Sequence, residues 1–292
     1  MKNFTFYILD VFAEAKYAGN QLAVVRGAGD LSDAEMQKIA KEMNYSETTF
    51  ILSDKPRDGG YDVRIFTPDV EVPFAGHPSL GTAYIVRNEI QDKPSDKIIL
   101  NEKIGQIPVT YDSNSGILWM KQVEPVFGEI TEPGTISELI GVGENDIDER
   151  FPIQEVSTGL PFIIVPLKTL DAVKRAKVVM DKLLDWAKDR GSREVFVFCR
   201  ETYNRENDIN ARMFAECAGV PEDPATGSAN GCLAGYLVKY QYFGSGRIDV
   251  RVEQGYEIGR PSLLYLKAEK KDGGIDVAVG GKVVMVAKGQ LV

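Results

Sequence analysis

A repeated segment constrains this sequence more than any other feature. Residues 77–83, HPSLGTA, align without gaps against residues 223–229, DPATGSA. Upstream, RIF at 64–66 has a counterpart in RMF at 212–214. Strand-like and helix-like stretches follow one another in the same succession around both segments, so the chain is predicted to be an internal two-fold repeat. We expect the two halves to join around Asn114 to Val126, a stretch marked by the turn-rich cluster DSNSG at 112–116.

The composition excludes several classes of function. The chain has 292 residues, which is ample for two domains, and a net charge of −9 that would repel a nucleic acid or an anionic membrane surface. One histidine and three cysteines without close spacing argue against a metal site and a disulfide framework. The N-terminus reads as a strand rather than a secretory signal, and the apolar stretches are far shorter than the ~20 residues that span a bilayer. We therefore expect a cytoplasmic protein.

The repeated segments have the residue types of an anion-binding cleft. In each, a polar residue precedes a proline, and a glycine and a small hydroxyl residue follow, which is typical of a helix start. His77 and Asp223 are expected at or beside the two N-caps, where free N–H groups and the helix dipole favour an anion. Gly81 and Gly227 would let a ligand approach the backbone, and Ser228 would add a hydroxyl. Taken singly, His77 and Asp223 each have an ordinary structural explanation, and it is their pairing in the repeat that makes them candidates.

Glu47 is the third candidate residue. It lies in NYSETTF at 44–50, between a predicted helix end and an apolar strand. A glutamate beside a closed apolar cleft could have its pKa raised by desolvation, and could then remove and return a proton near neutral pH.

Three blocks together resemble the phenazine-biosynthesis PhzF-like family. They are NYSETTF at 44–50, the stretch from FTP at 66–68 to FAGHP at 74–78, and EDPATGSA at 222–229. The resemblance runs from end to end and implies an α+β fold like that of diaminopimelate epimerase. That fold has two pseudo-symmetric domains, each a barrel-like mixed sheet wrapped around a central helix, with the active site between them. The domains are expected at 1–117 and 118–292, with residues 281–292 crossing back to the first.

The same resemblance implies an activity and roles for residues. Family members are cofactor-free and commonly homodimeric, and a glutamate matching Glu47 shuttles a proton on a small cyclic carboxylic acid. The residues that match the rest of the family site are expected to bind the substrate: Gly76, His77, Asp223, Gly227 and Ser228. His77 and Asp223 take the places of the cysteine pair of diaminopimelate epimerase, so racemisation by two thiols is not expected, and Cys217 and Cys232 are interpreted as small core residues. The chain departs from the commonest family residues at Gln21, Tyr45 and Ser79, which leaves its substrate open.

Two other functions remain possible on the sequence. A hydrolase could use Ser228 and His77, although residue 226 is threonine and the G-x-S-x-G elbow is therefore missing. A binding protein could keep the cleft without activity. The hypothesis that we carry forward is a cofactor-independent isomerase, with Glu47 as general acid and base and with a small carboxylate as substrate.

Overall fold

A computed structural model describes residues 3–188, 194–215 and 220–292, except for the side chain of Val220. The chain divides into two compact units, Met1–Met120 with Gly280–Val292 (unit 1) and Lys121–Val279 (unit 2). Cys217 lies outside the described residues. The strands and helices are β1 Phe4–Val11, β2 Asn20–Arg26, α1 Asp33–Met43, β3 Thr48–Ile51, β4 Tyr61–Phe66, β5 Glu71–Val72, α2 Gly76–Ile85, β6 Lys97–Glu102, β7 Gly105–Asp112, β8 Ile117–Lys121, β9 Val126–Thr131, α3 Pro133–Ile140, β10 Ile153–Ser157, β11 Pro161–Pro166, α4 Leu170–Arg175, α5 Met180–Trp186, β12 Val195–Cys199, β13 Ile209–Ala215, β14 Val220–Asp223, α6 Gly227–Lys239, β15 Arg247–Gln254, β16 Ser262–Lys271, β17 Gly274–Gly281 and β18 Val283–Leu291.

Unit 1 is a mixed sheet with one central helix. Strand β1 pairs antiparallel with β18 and β2, and β2 then pairs parallel with β3. Strand β4 pairs antiparallel with β3 and β5 and parallel with β6, which continues antiparallel to β7. The C-terminal strand β18 thus belongs to the sheet of the N-terminal residues. On the outer side, α1 begins with a capping box in which Ser32 and Glu35 satisfy each other's backbone N–H groups.

Unit 2 repeats this plan strand for strand. Strands β10 to β16 pair in the same order and with the same directions as β1 to β7, including parallel pairs β11–β12 and β13–β15. Strand β9 adds to β10 as β18 adds to β1. The predicted α+β fold of two similar halves is confirmed.

The central helices α2 and α6 are buried nearly all round. Residues 77–83 of α2 are all buried, and so are most residues of α6. A helix that is apolar on every face needs cover on every face, and α2 contacts strands β1, β2, β3, β6 and β7 of its own sheet. Gly81 permits this enclosure, because a Cβ there would lie 2.4 Å from Leu22 Cδ2. The expectation that Gly81 leaves room for a ligand is therefore wrong: the space is taken by the core.

The structure also corrects the alignment of the two halves. Arg64 donates to both carboxylate oxygens of Glu71 at 2.8 and 3.0 Å, and Arg212 does the same to Glu222 at 3.0 and 2.7 Å. Each glutamate opens the same pattern, E-x-P-x-x-G, whose glycine begins the central helix: EVPFAG at 71–76 and EDPATG at 222–227.

His77 therefore corresponds to Ser228, and Asp223 corresponds to Val72. The gap-free match of His77 with Asp223 is wrong. His77 lies within the first turn of α2, behind the N-cap Ala75, whereas Asp223 ends β14 and precedes the N-cap Thr226. The gap-free match misled because seven residues separate RMF at 212–214 from Glu222, whereas four separate RIF at 64–66 from Glu71.

Candidate active site

Unit 1 brings Glu47 and His77 together. Glu47 immediately precedes β3, and its side chain is 19% exposed, whereas that of His77 is 8% exposed. The His77 Nε2 atom lies 3.4 Å from Glu47 Oε2. Two residues that are thirty positions apart in sequence thus form one largely buried polar pair.

A buried hydrogen bond fixes the two elements that carry this pair. Thr49 Oγ1 of β3 lies 2.8 Å from Thr82 Oγ1 of α2, and both threonines are fully buried. Side chains alternate along a strand, so Thr49 faces the same side as Glu47. The threonine pair therefore holds β3 against α2 beside the Glu47–His77 contact.

His77 is a neutral imidazole in this setting. Burial lowers the pKa of His77 to about 3, although a hydrogen bond to the backbone of Gln21 works in the opposite direction. His77 also lies in the first turn of α2, at the positive end of the helix dipole, and this end disfavours a positive charge on the imidazole. At neutral pH, His77 can therefore polarise a group or exchange a hydrogen bond with Glu47, but it does not supply a positive charge.

Unit 2 holds Asp223 through a buried polar network. Thr226 Oγ1 donates to Asp223 Oδ2 at 2.5 Å, and Gln254 Nε2 donates to the Asp223 backbone oxygen at 2.9 Å. Gln254 Oε1 accepts from Asn230 Nδ2 at 2.9 Å, and Asn230 Nδ2 also donates to the Thr226 backbone oxygen at 3.0 Å. Gln254 and Asn230 are fully buried, so these bonds fix the turn between β14 and α6.

The remaining predicted residues occupy the helix starts. Gly76 and Gly227 are the first residues of α2 and α6. A Cβ at Gly76 would meet only Met120 Cε at 3.5 Å, so this glycine is not enclosed by the core as Gly81 is. Ser228 is partly exposed, and its backbone oxygen accepts a bond from Thr158 Oγ1. The structure thus places Glu47, Gly76 and His77 together in unit 1, and Asp223, Gly227 and Ser228 together in unit 2.

The cysteines described by the structure are unsuited to thiol chemistry. Cys199 and Cys232 are buried, and burial raises the pKa of Cys232 to about 11. A thiolate, the reactive form, is therefore strongly disfavoured at Cys232. Within residues 3–188, 194–215 and 220–292, no group of three or more histidine, cysteine, aspartate or glutamate side chains could hold a metal ion. In that same part of the chain, no helix combines the length and apolar character needed to cross a membrane.

Sequence reasoning missed the buried polar residues behind the two helix starts. Glu102 ends β6 and is 7% exposed, and Gln254 ends β15 and is fully buried. Glu102 hydrogen-bonds Ser79 of α2 at 2.6 Å. A signal existed for Glu102, since it shares the alternating pattern of Ile98 and Leu100 and so falls on the buried face of β6.

The fold of this chain is similar to that of several solved structures. A probable proline racemase of Agrobacterium radiobacter has the same fold, with a TM-score of 0.61 at 10% identity, over 99% of this chain and 93% of that one. A PhzF-family phenazine biosynthesis protein of Bacillus anthracis matches much more closely, with a TM-score of 0.92 at 28% identity and 100% coverage of both chains. The chain thus shares its two-unit α+β fold with a PhzF-family protein and with a probable racemase.

Sequence comparison then gives the family. The family model described as phenazine biosynthesis-like protein matches residues 9–289. The chain is 35% identical to trans-2,3-dihydro-3-hydroxyanthranilate isomerase of Pseudomonas fluorescens, covering 98% of this chain and 99% of that one. It is 33% identical to an uncharacterized isomerase of Mesorhizobium japonicum, covering 100% of this chain and 99% of that one. The chain belongs to the phenazine biosynthesis-like family, and it is an isomerase.

Proposed function

We propose that this isomerase moves a proton between two carbons of a small carboxylate-bearing substrate, without a cofactor, and that Glu47 is its general acid and base. The observation that supports this role is the contact of 3.4 Å between Glu47 Oε2 and the neutral, buried His77. A carboxyl group in such a setting is shielded from bulk water, which is what a group that both takes and returns a proton requires.

The proposed reaction consists of two proton transfers, both carried out by Glu47. The Glu47 carboxylate takes a proton from a carbon next to a conjugated system, and the electron pair left behind spreads into that system. Glu47 then returns the same proton to another carbon of the system, which shifts the double bonds and restores the carboxylate. Neither step needs an oxidant or a cofactor.

The other predicted residues bind the substrate in this proposal. The cleft between the two units is the proposed binding place, as the family resemblance implies. His77 and Asp223 would bind and polarise the substrate, and the helix-start amides at Gly76 and Gly227, with the Ser228 hydroxyl, would hold its carboxylate. Because His77 is neutral, this binding relies on hydrogen bonds rather than on an imidazolium charge.

The relatives suggest the substrate class. One of them is an isomerase of trans-2,3-dihydro-3-hydroxyanthranilate, a carboxylic acid on a partly reduced six-membered ring. We propose a cyclic, unsaturated carboxylic acid of this kind for the present chain. The departures at Gln21, Tyr45 and Ser79 are places where the substrate could differ from that of the relative.

The test is proton exchange in deuterated water, followed by NMR. Trans-2,3-dihydro-3-hydroxyanthranilate and a panel of cyclic unsaturated carboxylates are incubated with wild type, with Glu47→Gln and with Glu42→Gln as the matched control. Glu42 is an exposed glutamate of α1, close to Glu47 in sequence. Wild type and Glu42→Gln should introduce deuterium into one compound, and Glu47→Gln should lower the rate by about 10²- to 10⁴-fold while keeping most of the affinity.

The outcomes separate the alternatives. Exchange by Glu47→Gln at the wild-type rate would overturn the role of Glu47. Equal loss of binding and turnover in that variant would contradict the division between a proton-transfer residue and binding residues. Ester turnover that Ser228→Ala alone abolishes would favour the hydrolase.

A further inference from the structure

Three oxygen atoms, each at hydrogen-bond distance from the next, form a row behind the first turn of α2. Glu102 Oε1 is 2.6 Å from Ser79 Oγ, and Ser79 Oγ is 2.8 Å from the backbone oxygen of Ala75, the N-cap residue of α2. The second carboxyl oxygen of Glu102, Oε2, is buried and has no hydrogen-bond partner among the described residues. This row of oxygens therefore links the end of β6 to the helix start that carries Gly76 and His77.

The number of hydrogen atoms available to these three oxygens determines the protonation state of Glu102. Both contacts are at hydrogen-bond distance, and each needs one hydrogen between its two oxygens. The Ala75 oxygen has none, and the Ser79 hydroxyl supplies one. The second hydrogen has to come from Glu102, as a carboxylic acid that donates to Ser79 while Ser79 donates to Ala75. The unpartnered Oε2 fits the same state, because a buried carboxylate would leave a charged oxygen without a donor.

Unit 2 provides an independent comparison at the equivalent position. Gln254 ends β15 as Glu102 ends β6, and Asn230 stands in α6 where Ser79 stands in α2. Asn230 Nδ2 donates to the Thr226 oxygen at 3.0 Å, as Ser79 donates to Ala75. The fully buried Gln254 contacts Asn230 at 2.9 Å. A permanently neutral side chain thus holds the helix start of unit 2, where it accepts from Asn230. A neutral acid in unit 1 makes the two positions alike in charge, with Glu102 donating instead.

We propose that Glu102 is a positioning residue of this isomerase: as a neutral acid it donates to Ser79 and so holds the first turn of α2, with Gly76 and His77, in place. This inference rests on the proposed function in one respect, namely that His77 belongs to the active site. Loss of the Glu102 proton would leave one hydrogen for two contacts and would place a charge behind the helix start.

The proton of Glu102 should be lost in the physiological range. Burial raises the pKa of Glu102 to about 7, against the smaller effect of its bond with Ser79. Glu102 is one of the residues that line a pocket of about 320 Å³ on unit 1, and we expect its proton to exchange with solvent through this pocket. The position of His77 should therefore depend on pH around neutrality, although His77 itself stays neutral.

The titratable groups on the neighbouring elements are engaged elsewhere. On β4 and β5, Asp62 binds Arg57, and Arg64 binds Glu71, which Lys103 also approaches at 3.6 Å. On β7, Asp112 accepts from its own turn, and the Tyr111 ring lies under Arg87. On α2, burial lowers the pKa of His77 to about 3 and raises that of Tyr84. Lys97, at the other end of β6, is exposed, and within the described part of the chain Glu102 forms no ion pair.

The test uses the fact that His77 is the only histidine of the chain. Full-length protein labelled with ¹⁵N-histidine gives a single backbone amide signal and a single pair of ring signals, all from His77. These are followed from about pH 5.5 to 8.5 in wild type, Glu102→Gln and Glu47→Gln. Glutamine keeps an N–H donor for Ser79 but cannot ionise.

In wild type, the His77 amide signal should shift with a midpoint near pH 7 while the ring signals keep a neutral pattern. That midpoint should be lost in Glu102→Gln and kept in Glu47→Gln. A flat wild-type profile, or a midpoint that survives in Glu102→Gln, would overturn the proposal, and so would a midpoint lost in Glu47→Gln alone. If Glu102→Gln does not fold, Ser79→Ala replaces it: it removes the middle oxygen, so a midpoint of unchanged size would overturn the proposal and its loss would support it. No substrate is needed, so failure here is distinct from failure of the proposed function.

Discussion

Arg212 binds both carboxylate oxygens of Glu222, at 3.0 and 2.7 Å, directly before Asp223 in the chain. Its remaining guanidinium nitrogen donates to the backbone oxygens of Val173, Lys174 and Ala176. One buried side chain therefore joins the strand end that carries Asp223 to the end of α4. Arg64 makes the equivalent pair with Glu71 in unit 1, but its third partner is the exposed Asp33.

This difference predicts unequal costs for removing the two arginines. Arg212→Ala should lower the free energy of unfolding by about 3 to 5 kcal/mol, because it leaves a buried carboxylate and three carbonyl oxygens without their donor. Arg64→Ala should cost about 1 kcal/mol, because solvent reaches its partners. Urea unfolding of both variants measures this. Equal costs would show that burial of the Arg212 pair does not decide its contribution.

The buried threonine pair predicts strong coupling between two substitutions. Thr49→Val and Thr82→Val should each cost about 1 to 3 kcal/mol, since each leaves one buried hydroxyl unsatisfied. The double variant should cost less than the sum by about 1 kcal/mol or more, because no orphaned hydroxyl remains. A double-mutant cycle by urea unfolding measures this, and strictly additive costs would rule out the bond between Thr49 and Thr82.

The lowered pKa of His77 predicts that the folded chain loses stability in acid. Its pKa is about 3 in the folded chain, against 6.5 as the ordinary value. The unfolded chain therefore takes up a proton that the folded chain refuses, so stability is full above pH 6.5 and falls as the pH is lowered towards 3. Between pH 7 and 5, wild type should lose about 2 kcal/mol relative to His77→Gln, which has no ring to protonate. Urea unfolding at the two pH values gives this difference, and parallel curves for the two proteins would contradict a neutral buried His77.

The raised pKa of Glu102 predicts a pH dependence of stability with the opposite sign. Its pKa is about 7 in the folded chain, against 4.5 as the ordinary value. The folded chain keeps a proton that the unfolded chain has released, so the stabilisation is full below pH 4.5 and is lost as the pH rises through 7. Between pH 5 and 8, wild type should lose about 2 to 3 kcal/mol relative to Glu102→Gln.

Comparing each variant with wild type separates the two effects. Urea unfolding of wild type, His77→Gln and Glu102→Gln over the same pH range gives both differences. A difference between wild type and Glu102→Gln that stays constant from pH 5 to 8 would mean that Glu102 does not hold a proton in the folded chain.

Much of this protein could be predicted from its sequence. The repeat, the α+β class and the family follow from short blocks such as NYSETTF at 44–50 and EDPATGSA at 222–229. The capping box of Ser32 and Glu35 marks the start of α1, because its signal is local. Glu47 and His77 were candidates from the same blocks, and the structure places them 3.4 Å apart. Their catalytic and binding roles remain predictions.

What the tertiary structure decided concerns residues that are distant in sequence. The match of His77 with Ser228, in place of Asp223, depends on where strands pair and helices begin, and three extra residues between RMF and Glu222 hide it from a gap-free comparison. The contact of Glu102 with Ser79 depends on β6 lying against α2, and the pKa values of His77 and Glu102 depend on burial by elements from several parts of the chain. Sequence fixes local propensity and residue chemistry, whereas the solvation of a charge is set by its surroundings in three dimensions.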